Sequence, residues 1–342
     1  MVNDGHATGS RMVVVALALA MLALFVVNIF VGSTHVPPSQ VLEVLGACLG
    51  CPGGNVSETT SFIILHSRLP QAVVAVFCGA SLSVAGLMLQ TAFRNPLAGP
   101  SVFGITSGAS LAVAIVTLAV GTSTAIGGQI TVVAAAFVGA TAVTALILAL
   151  SAIVRSGVML LIVGIMIGYL SSSAITLLNY FASADGMRSY MLWGMGDFGA
   201  VSSEQLPVFV ALSALALLSA VLLVKPLNAL LLGPRYAESM GVNVRKTRNV
   251  LLLLTGILTA LVTAFCGPIA FIALAVPHVA RLFTGVADHR VLLPVTIVMG
   301  STIALLCNVV TTLPPSGTVL PLNAVTSLIG APVIVWVLLR RK

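Results

Sequence analysis

Few residues in this chain have the types and spacing needed for chemistry. Cys48 and Cys51 form a C-x-x-C whose spacing suits a local disulfide or, with a second ligand pair, a metal or redox centre. No second pair follows, so we assign these two cysteines no function. Cys78, Cys266 and Cys307 lie in apolar runs and read as small packing residues. Lys246-Thr247 resembles the end of a phosphate-binding loop, but Arg245 stands where G-x-x-x-x-G-K-[ST] needs glycine, so the chain is not expected to bind ATP. H-E-x-x-H, G-x-S-x-G and paired carboxylates within an apolar run are all absent. His278, directly after Pro277, reads as a local hydrogen-bonding residue rather than a proton relay.

The elements that hold these residues are lipid-facing. Only 7% of the 342 residues are Asp, Glu, Lys or Arg, against 59% hydrophobic, and the charges collect between long apolar runs. A soluble domain of this size needs a charged surface. These runs instead match a hydrocarbon core of roughly 30 Å at about 1.5 Å per helical residue. Ten spans are expected, near 12–31, 63–91, 101–120, 130–154, 158–179, 206–224, 249–266, 268–284, 291–311 and 321–339. They lack polar/apolar alternation, so helices rather than barrel strands are expected. The first run has only Arg11 ahead of it, is longer than a usual secretory signal core and lacks a convincing A-x-A cleavage site, so it is kept as a span.

With the N-terminus inside, thirteen of the fifteen Lys and Arg residues fall on inner segments, leaving only Arg68 and Arg188 outside. That bias supports cytoplasmic termini and an even number of spans. It also accounts for the net charge of +7 without nucleic acid. No span carries a central carboxylate, which disfavours an ion-coupled secondary carrier, the alternative from another class. A purely structural scaffold would lack a gated cavity.

Small residues mark helix faces. Gly164 and Gly168 begin a stripe that continues through Ser172, Thr176 and Asn179, and Gly104 with Gly108 forms another G-x-x-x-G. The hydroxyl- and amide-rich outer half of the fifth span suits a water-filled pathway. Pro96 and Pro100 make the turn after span two a tight reversal. The long inner loop from Lys225 to Arg248 reads as a short helix, a Gly233-Pro234 break, a second short helix and a Gly241 stop.

At these residues the chain resembles the FecCD-type permeases of type II ABC importers, which carry iron-siderophores, haem and vitamin B12. The resemblance covers nearly the whole chain. It rests on Arg68-Leu69-Pro70, Gly79-Ala80-Ser81-Leu82, Gln90 with Asn95-Pro96-Leu97-Ala98, Trp193-Gly194-Met195-Gly196 and Ala237–Val242. Gly267-Pro268-Ile269-Ala270-Phe271-Ile272 with Pro277-His278, Arg281 and Asp288-His289-Arg290 completes it, together with Gly330-Ala331-Pro332. It implies an all-α integral membrane protein with about ten helices and a vitamin B12 importer permease-like fold, one permease domain over 1–342, in a prokaryotic plasma (inner) membrane. It also implies a second permease subunit, as a homodimer or closely related pair, two cytoplasmic ABC ATPase subunits that bind the ATP and Mg, and an external substrate-binding protein. No cofactor or metal is implied for this chain. Asn95 and Leu97 match one cytoplasmic gate, and Arg155 with Ser156 the second. Ala237, Glu238, Ser239, Met240 and Gly241 match the ATPase-coupling helix. Arg68, and with it Arg188, is expected to dock the binding protein, although Gln71 stands where many members have another arginine. An iron chelate, either a siderophore or haem, is the expected cargo, with vitamin B12 the alternative.

Overall fold

The structure is a computed structural model that describes residues 4–48, 57–120, 126–154, 156–314 and 318–340. All regular elements among these residues are helical: α1 (Asp4–Phe30), α2 (Pro38–Cys48), α3 (Glu58–Phe62), α4 (Leu69–Ala92), α5 (Ile105–Ala114), α6 (Ile126–Ile153), α7 (Gly157–Phe181) and α8 (Ala184–Gly194). After them come α9 (Leu206–Leu222), α10 (Val224–Leu231), α11 (Pro234–Ser239), α12 (Val244–Cys266), α13 (Ile272–Thr284), α14 (His289–Thr312) and α15 (Leu322–Arg340). Wide π turns at Ile63–Arg68 and Ile115–Val120 extend α4 backwards and α5 forwards.

Each of the ten expected spans coincides with an apolar helix. Among the described residues six segments are long and apolar enough to cross a bilayer by themselves, and α9 reaches that length only when α10, bent from it by 50°, is counted with it. The others, around α5, α13 and α15, are shorter. The helices expected from 101 and 268 begin only at Ile105 and Ile272. Pro100 and Gly104 (φ 76°) hold the first entry in turns, and the second is broken by Gly267 (φ 76°) and Phe271 (φ 67°).

Within lipid, apolar surface does not itself drive helices together, so close backbone approach must supply the packing. α4 sits at the centre, against α9, α12, α13 and α14. A Cβ on Gly79 would lie 2.2 Å from the Gly300 carbonyl oxygen, and one on Gly86 only 1.7 Å from that of Ala273. α5 packs on α6 and α7, where Gly108 meets Gly139 in the same way. Polar side chains close the remaining gaps. Gln71 on α4 donates to Asn308 on α14 at 3.1 Å, and Asn308 donates to Asn28 on α1 at 2.7 Å.

Candidate functional site

The turn after α4 is held in one conformation. Asn95 accepts the Leu97 amide at 2.9 Å, its own amide bonds Gln90 O at 3.2 Å, and Arg94 takes a left-handed φ of 49°. His278 Nε2 donates to the Pro96 carbonyl at 2.8 Å, the local bond expected of it. Arg281 donates to Gln90 Oε1 at 2.6 Å, while Gln90 Nε2 donates to Leu274 O at 3.2 Å. Leu97 stands out at the tip, 47% exposed.

Ser156 caps α7 by accepting the Met159 amide at 3.4 Å. Its neighbour Gly157 abuts the gate turn, since a Cβ there would lie 3.0 Å from the Phe93 ring. The two expected gate segments therefore meet at Phe93, a residue the sequence analysis passes over. Phe93 also packs on Phe103 at 4.7 Å and lies under the Arg248 guanidinium at 5.3 Å, in cation–π geometry. Arg155 lies outside the described residues, as does Cys51.

The inner loop folds as helix, break, helix. Gly233 takes φ 107° before Pro234, and α11 ends in a Schellman motif with Gly241 at φ 82°: Val242 N bonds Ala237 O, and Gly241 N bonds Glu238 O, both at 2.9 Å. Ala237 is fully buried and fixes the helix, while Glu238, Ser239, Met240 and Gly241 face outward with Tyr236. Asn243 caps the following α12 through the Lys246 amide.

On α7 the small-residue stripe divides. Gly164 is packed against the backbone of Val102 and Phe103, where a Cβ would lie 2.5 Å from Val102 O, so it cannot line a pathway in this structure. Positions four apart advance by about 40° around a helix, so Thr176 sits roughly 120° from Gly164. Gly168 faces Ser107, Ser172 and Thr176 are exposed, and Asn179 is half-buried. The face open to a pathway is thus Ser172, Ser173 and Thr176.

The two outer arginines differ. Arg68 is only 4% exposed and donates to the carbonyls of Ile29 at 3.0 Å, Phe30 at 2.9 Å and Thr34, closing the C-terminal end of α1. Spent in this way, it offers no free face to a partner. Arg188 is exposed on α8. The Trp193–Gly196 element is clasped between the break after α12 and the start of α15: Asp197 N bonds Cys266 O, and Asn323 N bonds Met195 O, both at 2.9 Å. Beside it opens a cavity of ≈ 520 Å³ lined in part by Trp193, Asp197 and Gln205.

Several apolar helices of spanning length define a multi-pass membrane protein. A profile of the FecCD transport family matches residues 19–340, and the chain belongs to that family. It is the membrane-spanning permease of an ABC importer, not an enzyme, and ATP hydrolysis falls to a partner. The vitamin B12 import system permease protein BtuC of Klebsiella pneumoniae subsp. pneumoniae is 32% identical over 333 residues, covering 97% of this chain and 95% of that one. The BtuC of Salmonella paratyphi A is 34% identical over 301 residues, covering 87% and 91%. A metal-chelate type ABC transporter solved in an inward-facing conformation superposes with a TM-score of 0.83 at 26% identity, over 96% of this chain and 99% of that one. PsaBC from Streptococcus pneumoniae in complex with Fab shares the fold alone, with a TM-score of 0.56 at 16% identity over 82% and 93%.

Proposed function

We propose that this permease pairs with a second copy, or a close relative, to form one pathway that imports a bulky metal chelate across a prokaryotic inner membrane, with both termini cytoplasmic. The observation that carries the reading is the outer half of α7. Ser172, Ser173 and Thr176 are exposed there beside Tyr169, Leu177 and Tyr180, on a helix with little packing of its own. A wide, uncharged, hydroxyl-bearing passage lets a large solute slide without being gripped, since tight binding within the membrane would oppose release. The iron chelate expected from the sequence and the corrinoid alternative share this chemistry. The relatives named for vitamin B12 import favour the corrinoid.

In this reading Asn95 and Leu97, with Ser156 and Arg155, close the inner mouth. Glu238 to Gly241 seat in a cleft of an ATPase subunit that holds the ATP and Mg. Arg188 meets an acidic patch on an external binding protein, which leaves Arg68 as an anchor. Uptake into vesicles containing the reconstituted complex, tested with cyanocobalamin, a ferric siderophore and haem, checks the proposal. ATP-dependent accumulation of one of them is the expected result, and failure with all three in an ATPase-active complex would remove the chelate class.

A further inference from the structure

We infer that Asn228 and His289 tie the coupling segment to the inner gate, so that movement of α10 reaches the Asn95–Leu97 turn through Thr91. The inference rests on the coupling role proposed above for Glu238 to Gly241, to which α10 is joined through its packing on α11.

Three helices meet at one buried point. His289, the first residue of α14, is 0% exposed. Its Nδ1 and its backbone amide each lie 2.8 Å from Oδ1 of Asn228 on α10, and its Nε2 lies 2.9 Å from the Thr91 hydroxyl on α4. The amide orientation is fixed by chemistry, because Asn228 Nδ2 faces the carboxylate of Asp288 at 2.6 Å, a group that only accepts. Oδ1 must therefore receive both His289 donors, so Nδ1 carries the proton and Nε2 of the neutral ring is an acceptor, 2.9 Å from a Thr91 hydroxyl whose one proton it shares with the Leu87 carbonyl, also at 2.9 Å. Asn228 cannot turn away without leaving the two donors of the buried His289 unpaired, at about 1–3 kcal/mol for each such group.

Thr91 is the last-turn residue of α4, and its carbonyl accepts the Arg94 amide at 3.3 Å, so the chain of bonds continues into the gate turn. Two further contacts run in parallel. Arg94 Nη1 would lie 3.6 Å from a Cβ on Gly233, at the α10–α11 break, and Arg248 near the start of α12 covers Phe93. The opposite side of the turn is held by α13 through His278 and Gln90. A shift of α10 relative to α13 must then deform the turn between them. His289 and Asn228 act as positioning residues.

The test uses the assembled permease–ATPase complex with Leu97→Cys in a background lacking the five native cysteines. The rate of maleimide labelling at that thiol is measured with and without ATP. Thr91→Val removes the hydroxyl at constant shape, Thr91→Ser restores it, and His289→Leu breaks the centre. We expect labelling in the parent to change at least about fivefold with nucleotide, the low end of ordinary coupling. That response should vanish in Thr91→Val and His289→Leu, return in Thr91→Ser, and be no worse in the double variant, with basal ATP hydrolysis within about twofold of the parent. Full nucleotide response in Thr91→Val overturns the tie, and this arm decides the matter even if His289→Leu does not assemble. Glu238→Arg separates the two levels. Loss of response there with retention in Thr91→Val leaves the coupling loop standing and removes the tie, whereas retention in Glu238→Arg removes the coupling reading and the tie with it.

Discussion

Helices α4 and α7 are equally apolar, with a mean hydropathy of 2.2 for the best window of each span, yet 83% of the α4 window is buried inside the protein and only 22% of the α7 window. Hydropathy sees lipid and protein interior as one solvent. What separates the helices is side-chain size: α4 carries Ala72, Ala75, Gly79, Ala80, Ala85 and Gly86 along its buried length, whereas α7 presents Ile162, Met166, Tyr169, Leu170 and Tyr180. Small residues let α4 serve as the strut around which its neighbours pack. The bulk of α7 leaves a face that only lipid, cargo or a second subunit can cover.

The hardest way to break this contrast is to add bulk to α4. Any side chain at Gly86 must displace the Ala273 carbonyl, a backbone atom that cannot swing aside. Ordinary overpacking costs about 1–3 kcal/mol, and Gly86→Val should exceed it, abolishing folded protein in the membrane. Gly168→Ala on α7, where a Cβ would lie 3.5 Å from the Ser107 hydroxyl, should leave the thermal unfolding midpoint of the purified permease unchanged. Equal losses in both would mean that α7 is as enclosed in the assembled protein as α4.

Arg68 and Arg188 sharpen the same contrast on the side proposed to face outward. Arg68→Ala strips the donors from three backbone carbonyls, of which that of Ile29 is buried, and should lower stability by about 1–3 kcal/mol for that unpaired group. Arg188→Glu should not change stability. It should weaken capture of the binding protein about tenfold at low salt and less as salt rises. A salt-sensitive binding defect in an otherwise stable Arg68→Glu would return that residue to the docking surface.

Leu97 offers a test midway between the two helices, since its turn continues α4 but abuts the start of α7 through Gly157 and Phe93. In the proposed dimer, Leu97→Cys should form a disulfide with its symmetry mate in one nucleotide state and much less in another, because the bond needs Cα atoms within about 7 Å. Cross-linking should stop uptake reversibly. If no link forms in a transport-active protein, closure belongs to the α6–α7 turn at Ser156.

Much of the architecture is legible in the sequence because lipid imposes long apolar runs, and prolines and glycines mark where they stop. The helix–break–helix of the inner loop follows from Gly233-Pro234 and Gly241, whose backbone angles few other residues tolerate. The site is less legible. Charge counting places Arg68 outside and free, but three carbonyls left over at the end of α1 claim it, and those come from a segment more than thirty residues away. The stripe from Gly164 to Thr176 looks continuous in spacing, although helical drift turns one end towards α5 and the other outward. Phe93 and Asn228 escape notice, and His289 enters only within the Asp288-His289-Arg290 motif with no role of its own, because each acts through residues distant in sequence. The only local hint is His289 beside Asp288, a residue that reads simply as a helix cap.

That cap sets a buried helix against an exposed one. Asp288 begins the well-buried α14 and accepts the Arg290 amide at 2.8 Å, whereas Ser156 begins the exposed α7 with a longer bond of 3.4 Å to Met159. Asp288→Ala should cost about 1 kcal/mol for the lost cap and about 1–3 kcal/mol more for the Asn228 amide left without its acceptor, and Ser156→Ala should fall at the low end of the capping range of about 0.5–2 kcal/mol. The two also differ in pH response. Burial pushes the Asp288 carboxyl up, but the Arg290 amide, the Asn228 amide and the Arg290 charge outweigh it and hold it below the ordinary carboxylate range. A carboxylate whose folded value is depressed stabilises the folded state fully above its unfolded value and loses that contribution as pH falls through the depressed one. The stability difference between the parent and Asp288→Ala should therefore hold at neutral pH and shrink only in acid, while that of Ser156→Ala should stay level across the same range. Thermal unfolding of the three proteins from neutral to acid pH measures both differences. A difference for Asp288→Ala that does not shrink in acid would show that its cap works without its charge.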